Sequence, residues 1–321
     1  MIYSKINHTD LTAGKLVLGT DGFGTEMPNE LCFKMLDTFL DAGGNILDTA
    51  SFYADWHGMG KSMSEKTIGL YLSERKNRDK FIISTKGGHP RLETMEISRL
   101  SREEIFDDFE HSLINLKTDY IDIYWLHKDD ENIPSERLIE IMNEILETKK
   151  ARYIAVSNWS YERIKRANDY ALKNSMQPFI ASQIQYSVAK VNEEVLDPLI
   201  SAMTESEYEN YRKDSLNVFG FSSQAKGFFA QMQNGGINAV SENVKNEFLN
   251  DYNLALYDRL VEVANSKNTG ISAVLIAALI SNPEINTFAQ IGPRKLEYLE
   301  DSMKCTSFTL TESERNYLLG N

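Results

Sequence analysis

Eight short apolar runs recur along the 321-residue chain, separated by segments of helical period, and this alternation constrains the fold more than any other feature. The runs are Lys15–Leu18, Asn45–Leu47, Phe81–Ser84, Ile121–Trp125, Tyr153–Val156, Phe179–Ile184, Leu216–Phe221 and Thr287–Ile291. Each reads as a buried β-strand from its apolar and β-branched content. Between them Asn29–Ala42, Ser64–Arg75, Ser101–Leu116, Ser135–Thr148, Ser160–Asn174 and Glu193–Tyr208 read as helices, with two more between Asn253 and Ser281. Ser101-Arg-Glu-Glu and Ser160-Tyr-Glu-Arg each offer a capping hydroxyl followed by first-turn carboxylates. Alternating strands and helices imply a parallel sheet, and eight units of this size imply a closed (βα)8 TIM barrel rather than an open sheet. An open dinucleotide-binding sheet would need Gly-x-Gly-x-x-Gly running from the first strand into a helix; Gly19-Thr-Asp-Gly-Phe-Gly24 meets no helix until after Pro28. The expectation is therefore an α/β barrel forming a single domain over residues 1–321. Met1–Ala13 is expected to plug its N-terminal mouth as a hairpin, and Ala225–Asn253 to form a long loop over the C-terminal mouth.

Charge narrows the partners. Lys and Arg total 34 against 47 Asp and Glu, a net charge of −13 that repels a phosphate backbone or an anionic membrane, and no basic patch offsets it. Neither a nucleic acid nor a membrane is expected as a partner. Cys32 and Cys305 lie far apart with no Cys/His spacing around them, which suggests neither a disulfide framework nor structural zinc and fits a reducing cytoplasm. The N-terminus has no apolar signal core, and the longest apolar run, Ile271–Ile280, is about half the length that crosses a bilayer. Nothing in the sequence reports the oligomeric state.

In such a barrel function sits where strands end, so the residues at those ends carry the information. Strand two ends in Asp48 with Tyr53 five residues on, strand three in Ser84-Thr-Lys86, strand four in Leu126-His127 and strand five in Ser157-Asn158. Strand six carries Gln183, strand seven ends in Phe221-Ser222, and strand eight runs into Gly292-Pro-Arg294. Asp48, Tyr53, Lys86 and His127 make a proton-delivery set. A phenol with a pKa near 10 is a poor acid near neutrality, an adjacent ammonium favours its phenolate, a carboxylate keeps that ammonium charged, and an imidazole orients a carbonyl oxygen. No nucleophile and no metal cluster accompany them.

These residues, with Leu18-Gly-Thr20, Asn45-Ile-Leu-Asp-Thr-Ala-Ser-Phe-Tyr53, Ser64-Glu-Lys-Thr-Ile-Gly69, Ser84-Thr-Lys-Gly87, Asp122-Ile-Tyr-Trp-Leu-His127, Val156-Ser-Asn158, Ser182-Gln183 and Phe221-Ser-Ser-Gln-Ala-Lys-Gly227, resemble the aldo-keto reductases over nearly the full chain. The resemblance implies a (βα)8 barrel that reduces aldehydes or ketones with NAD(P)H. It implies Tyr53 as proton donor, Lys86 and Asp48 as its supporting pair, and His127 orienting the carbonyl. Ser157, Asn158 and Gln183 resemble the nicotinamide-carboxamide ligands. Phe221 keeps the π-face where the family commonly has Tyr, Ser223 replaces a stiffening Pro, and Ser222, Gln224 and Lys226 continue the cofactor segment. Gly292, Arg294, Tyr298 and Ser302 resemble the adenosine-phosphate segment, with Ser302 where Asn is usual and Tyr298 where Gln or Arg is common. Arg294 is the expected partner of a 2′-phosphate and carries a preference for NADPH over NADH. Trp56, Trp125, Trp159 and Lys128 are the expected substrate residues, leaning towards a hydroxylated, sugar-derived carbonyl. Two other functions stand beside this one. A nucleotide-sensing regulatory subunit would retain the pocket with incidental turnover, and a metal-dependent sugar isomerase would need converging Asp, Glu and His ligands, of which only Asp48 and His127 qualify.

Overall fold

The computed structural model describes residues 1–320. Two strands, β1 (Tyr3–Lys5) and β2 (Thr12–Gly14), pair antiparallel as a separate hairpin. The next eight are β3 (Leu16–Gly19), β4 (Ile46–Asp48), β5 (Ile82–Gly87), β6 (Ile121–Leu126), β7 (Ala151–Ser157), β8 (Ala181–Gln185), β9 (Asn217–Phe221) and β10 (Thr287–Ile291). All eight pair in parallel, and β10 bonds to both β9 and β3, so the sheet closes into a barrel. The helices are α1 (Asn29–Asp41), α2 (Met63–Arg75), α3 (Arg102–Leu116), α4 (Ser135–Glu147), α5 (Tyr161–Lys173), α6 (Glu205–Arg212), α7 (Phe228–Gly235), α8 (Glu242–Phe248), α9 (Asp251–Lys267), α10 (Ile271–Ile280), α11 (Leu296–Met303) and α12 (Glu312–Leu319).

Side chains alternate in and out along each strand, and the inward set is layered. Val17, Ile46, Ile82, Ile123, Trp125, Phe219 and Phe288 fill the lower and middle interior. The hairpin's Ile6, Leu11 and Ala13 join that cluster and plug the N-terminal mouth, as expected. One strand period higher the inward residues turn polar: Asp48 follows Ile46, Ser84 and Lys86 follow Ile82, and Gln290 follows Phe288. The outward residues pack beneath the helices, where α10 buries every residue except Ser272.

The departures from the sequence reading have local causes. Glu193–Tyr208 is not one helix: a short turn at Glu193–Val195 and α6 are split by Asp197-Pro198, because a mid-helix proline removes a donor and restricts the residue before it. Ala225–Asn253 is not a loop, since it folds into α7 and α8, broken by Gly236 at φ 66°. Ser101 caps α3 by accepting from Glu104 N, but Ser160 makes no such bond; the Glu207 carboxylate on α6 takes Tyr161 N instead. Among the described residues no single helix is long and apolar enough to cross a membrane; α9 and α10 pass only as a pair, bent by 99°.

The helical layer tolerates little change where α2 meets α3. A Cβ on Gly69 would lie 2.0 Å from the Asn115 carbonyl oxygen. Gly69→Ala should therefore destabilise the protein by roughly 1–3 kcal/mol, read as a lower denaturation midpoint at unchanged slope. An unaltered midpoint would contradict this packing.

Candidate active site

The polar tier at the top of the barrel is organised around Asp48, which is fully buried at the end of β4. Its carboxylate accepts from Lys86 Nζ at 2.5 Å, Gln290 Nε2 at 2.7 Å, Gln183 Nε2 at 3.0 Å and Ser84 Oγ at 3.1 Å. Lys86 is equally buried, and its ammonium has three acceptors for three protons: Asp48, Thr49 O at 2.9 Å and Tyr53 Oη at 3.0 Å. Burial pushes the Lys86 pKa down, while the Asp48 carboxylate opposes that shift.

Tyr53 reaches the tier from the loop after β4. Ser62 N donates to the Asp55 carboxylate and Ser62 Oγ to Ser51 O, closing the loop, and Ala54 sits in the left-handed region at φ 73°. The phenol is held well above its ordinary pKa by burial and by the Asp48 and Asp21 charges, so in the free protein it stays protonated. Lys86 was expected to lower it. Burial and the two carboxylates prevail instead, and the shift is upward.

His127 extends β6, its backbone N–H donating to Gly87 O, and its ring meets Tyr53 edge-on at 5.6 Å. Burial first, then His89, Lys86 and Lys128, keep its pKa well below the ordinary 6.5, leaving a neutral imidazole with Nδ1 unpartnered. His89 lies 4.7 Å from it and stacks on Phe52 at 3.7 Å with 14° between planes. Burial lowers His89 to about 4, and its Nδ1 donates to Pro90 O, which leaves Nε2 as an acceptor.

A cleft of about 760 Å³ opens above this tier, the size of a small-molecule site. Tyr53, Trp56, His127, Lys128, Ser157, Asn158, Gln183, Phe221, Ser222, Gln224, Lys226, Gly292, Arg294, Tyr298 and Ser302 all line it, so the structure brings most of the sequence-predicted residues together. Asp48 and Lys86 stand behind Tyr53. Asn158 Nδ2 donates to Ser157 Oγ and His127 O, and Gln224 Nε2 to Ser302 Oγ. Ser222, Ala225 and Lys226 all take positive φ in the segment after β9, a concentration of backbone strain of the kind that marks ligand loops. A nicotinamide dinucleotide fits these residues: Phe221 presents a flat face, and Gln290 Oε1 is a buried acceptor on the wall without a donor.

Three expectations change. Trp125 and Trp159 do not line the cleft. Trp125 is inside the barrel, two residues after Ile123 on the same inward face, with its ring against Phe219 and Nε1 donating to Ser84. Trp159 packs on Phe179 beneath the rim with Nε1 to Lys128 O. The sugar-stacking argument thus retains Trp56 alone. Arg294 does line the cleft, but its fork is filled by Asp21, at 3.0 and 2.7 Å, and by Glu26. Among the described residues no three His, Cys, Asp or Glu side chains converge as a metal site would require. The sequence reading missed Gln290 and His89. Inward parity with Phe288 marks Gln290, and His89 lies three residues past Lys86, just beyond the end of β5.

Comparison with known proteins bears on the family and the fold. A norsolorinic acid reductase of Aspergillus flavus is 26% identical, covering 93% of this chain and 75% of its own. A probable aryl-alcohol dehydrogenase of Saccharomyces cerevisiae is 27% identical, with 91% and 88% covered. The crystal structure of a thermostable aldo-keto reductase in complex with the inhibitor epalrestat shares the fold, with a TM-score of 0.73 at 23% identity and 100% and 99% of the two chains covered. The family profile matches residues 15–319, and the chain belongs to the aldo/keto reductase family.

Proposed function

We propose that the protein is an NAD(P)H-dependent oxidoreductase that reduces an aldehyde or ketone to the alcohol, with Tyr53 as proton donor. The observation that carries this is the Lys86 ammonium bridging Asp48 and the Oη of Tyr53, which lines the cleft. A nicotinamide dinucleotide held in the cleft would supply the hydride. Tyr53 gives its phenolic proton to the carbonyl oxygen, and Lys86, already within hydrogen-bond distance, stabilises the phenolate that remains. Asp48 keeps Lys86 charged against its burial. His127, neutral, donates an N–H to the same oxygen and sets its direction. Ser157, Asn158 and Gln183 would hold the dinucleotide's carboxamide, and Phe221 would lie against its ring. Two buried free cysteines fit a reducing, cytoplasmic setting.

Tyr53→Phe should leave dinucleotide affinity nearly intact and cut turnover at least ~10²-fold, since general acid catalysis contributes roughly 10² to 10⁴. Lys86→Met should approach that loss. An assay of both variants across aldehydes, ketoses and keto-sugars with NADPH and NADH checks this; near wild-type turnover in Tyr53→Phe removes the tyrosine from the mechanism.

The dinucleotide is NADPH in preference to NADH, through Arg294. Asp21 and Glu26 already occupy its guanidinium, so a 2′-phosphate gains only what it exceeds them by. The preference should therefore sit near the lower end of the roughly 10- to 150-fold range that a charge-assisted contact provides. Arg294→Ala should weaken NADPH binding towards the NADH level, and Asp21→Asn should strengthen NADPH binding alone. Equal loss of both cofactors in Arg294→Ala would place the arginine elsewhere on the dinucleotide.

A further inference from the structure

The charged side chains lining the cleft are Asp21, Lys128, Lys226, Arg294 and Asp301. Four have opposite charges beside them: Arg294 with Asp21 and Glu26, Lys226 with Glu247 at 2.5 Å, and Asp301 with Lys304 at 3.2 Å. Lys128 is the exception. Among the described residues no carboxylate lies within 4.0 Å of its ammonium, whose one hydrogen bond is to Leu199 O at 2.7 Å. Two of its three protons have no protein acceptor.

The surrounding carboxylates are engaged elsewhere. Asp129 is bound to Arg163 at 2.6 Å, Asp130 turns onto Asn132, and Asp197 accepts from Leu199 N at 2.8 Å. Burial lowers the Lys128 pKa and Asp197 only opposes this from a distance. A half-buried cation without a counter-ion is costly to keep, and on a chain of net charge −13 it is a local inversion of the field. Its position gives it a use: it directly follows His127, which with Tyr53 marks the carbonyl site, and Ile200 beside its anchor also lines the cleft. The stacked Phe52 and His89 rings are close by.

We propose that the substrate is a carbonyl compound bearing an anionic group, a carboxylate or a phosphate, which pairs with Lys128 while the carbonyl meets Tyr53 and His127. This rests on the reductase reading above. Lys128 is then the specificity-determining residue. An ammonium suits either anion as a point charge, without the bidentate geometry of an arginine fork.

The test compares 4-oxobutanoate with its neutral methyl ester, and glyceraldehyde 3-phosphate with glyceraldehyde, in the wild type, Lys128→Met and Lys128→Arg. At least one anionic member should exceed its neutral partner in kcat/KM by about 10- to 100-fold, the size of a charge-assisted contact. Which pair shows it identifies carboxylate or phosphate. The ratio should collapse towards one in Lys128→Met and be largely restored in Lys128→Arg. No anionic preference in the wild type, or a preference that survives Lys128→Met, overturns the proposal. Calorimetric titration of the same anions separates the two readings. Binding that depends on Lys128 without turnover would refute the reductase reading and keep the anion site, whereas equal binding to wild type and Lys128→Met would refute the anion site itself.

Discussion

The buried ion pair of Asp48 and Lys86 is the interaction on which the upper barrel depends. Two charges removed from water are tolerated only when every donor and acceptor is matched, and here they are. Ser84 and Lys86 reach Asp48 from β5, Gln183 from β8 and Gln290 from β10, so one carboxylate on β4 ties four strands around the axis. Breaking the pair would leave an uncompensated charge in the interior. Tyr53 hangs from the same ammonium, which couples the fold of the tier to its chemistry.

The barrel was legible because strand burial and helix period are local signals repeated eight times. Each of the eight barrel strands overlaps its predicted run, and where β5 and β7 extend further they do so to Gly87 and Ser157, beside or at the polar strand ends already singled out. Failures concentrate after β8, where the repeat loosens. Pro198 divides a segment that composition alone shows as one helix, and α7 and α8 form from sequence whose Gly235-Gly236 reads as loop. The short helices α11 and α12 went unseen for the same reason. Eight residues hold too few turns for a periodic pattern to stand out, although Thr311 and Glu314 form a capping box that marks the start of α12.

For the site, the rule that function sits at strand ends found the residues which share the cleft, but it could not rank depth. Trp125 stands one residue short of the end of β6, yet parity turns it into the interior. Pairings between distant segments were beyond reach. Arg294 and Asp21 are 273 positions apart, so nothing in the local sequence shows that the guanidinium is already occupied. The same blindness hides the opposite case, Lys128, whose importance comes from the charges that are missing around it.

In the proposed mechanism Asp48 acts through Lys86, and the two serve Tyr53 as one unit. A double-mutant cycle on kcat/KM with Asp48→Asn, Lys86→Met and the double variant tests it most directly. If Asp48 works by keeping Lys86 charged, removing it after Lys86 is gone should cost little, and the double variant should resemble Lys86→Met alone. Losses that simply add, with the double variant impaired by the product of the two single effects, would mean that Asp48 and Lys86 serve separate purposes and would contradict the account.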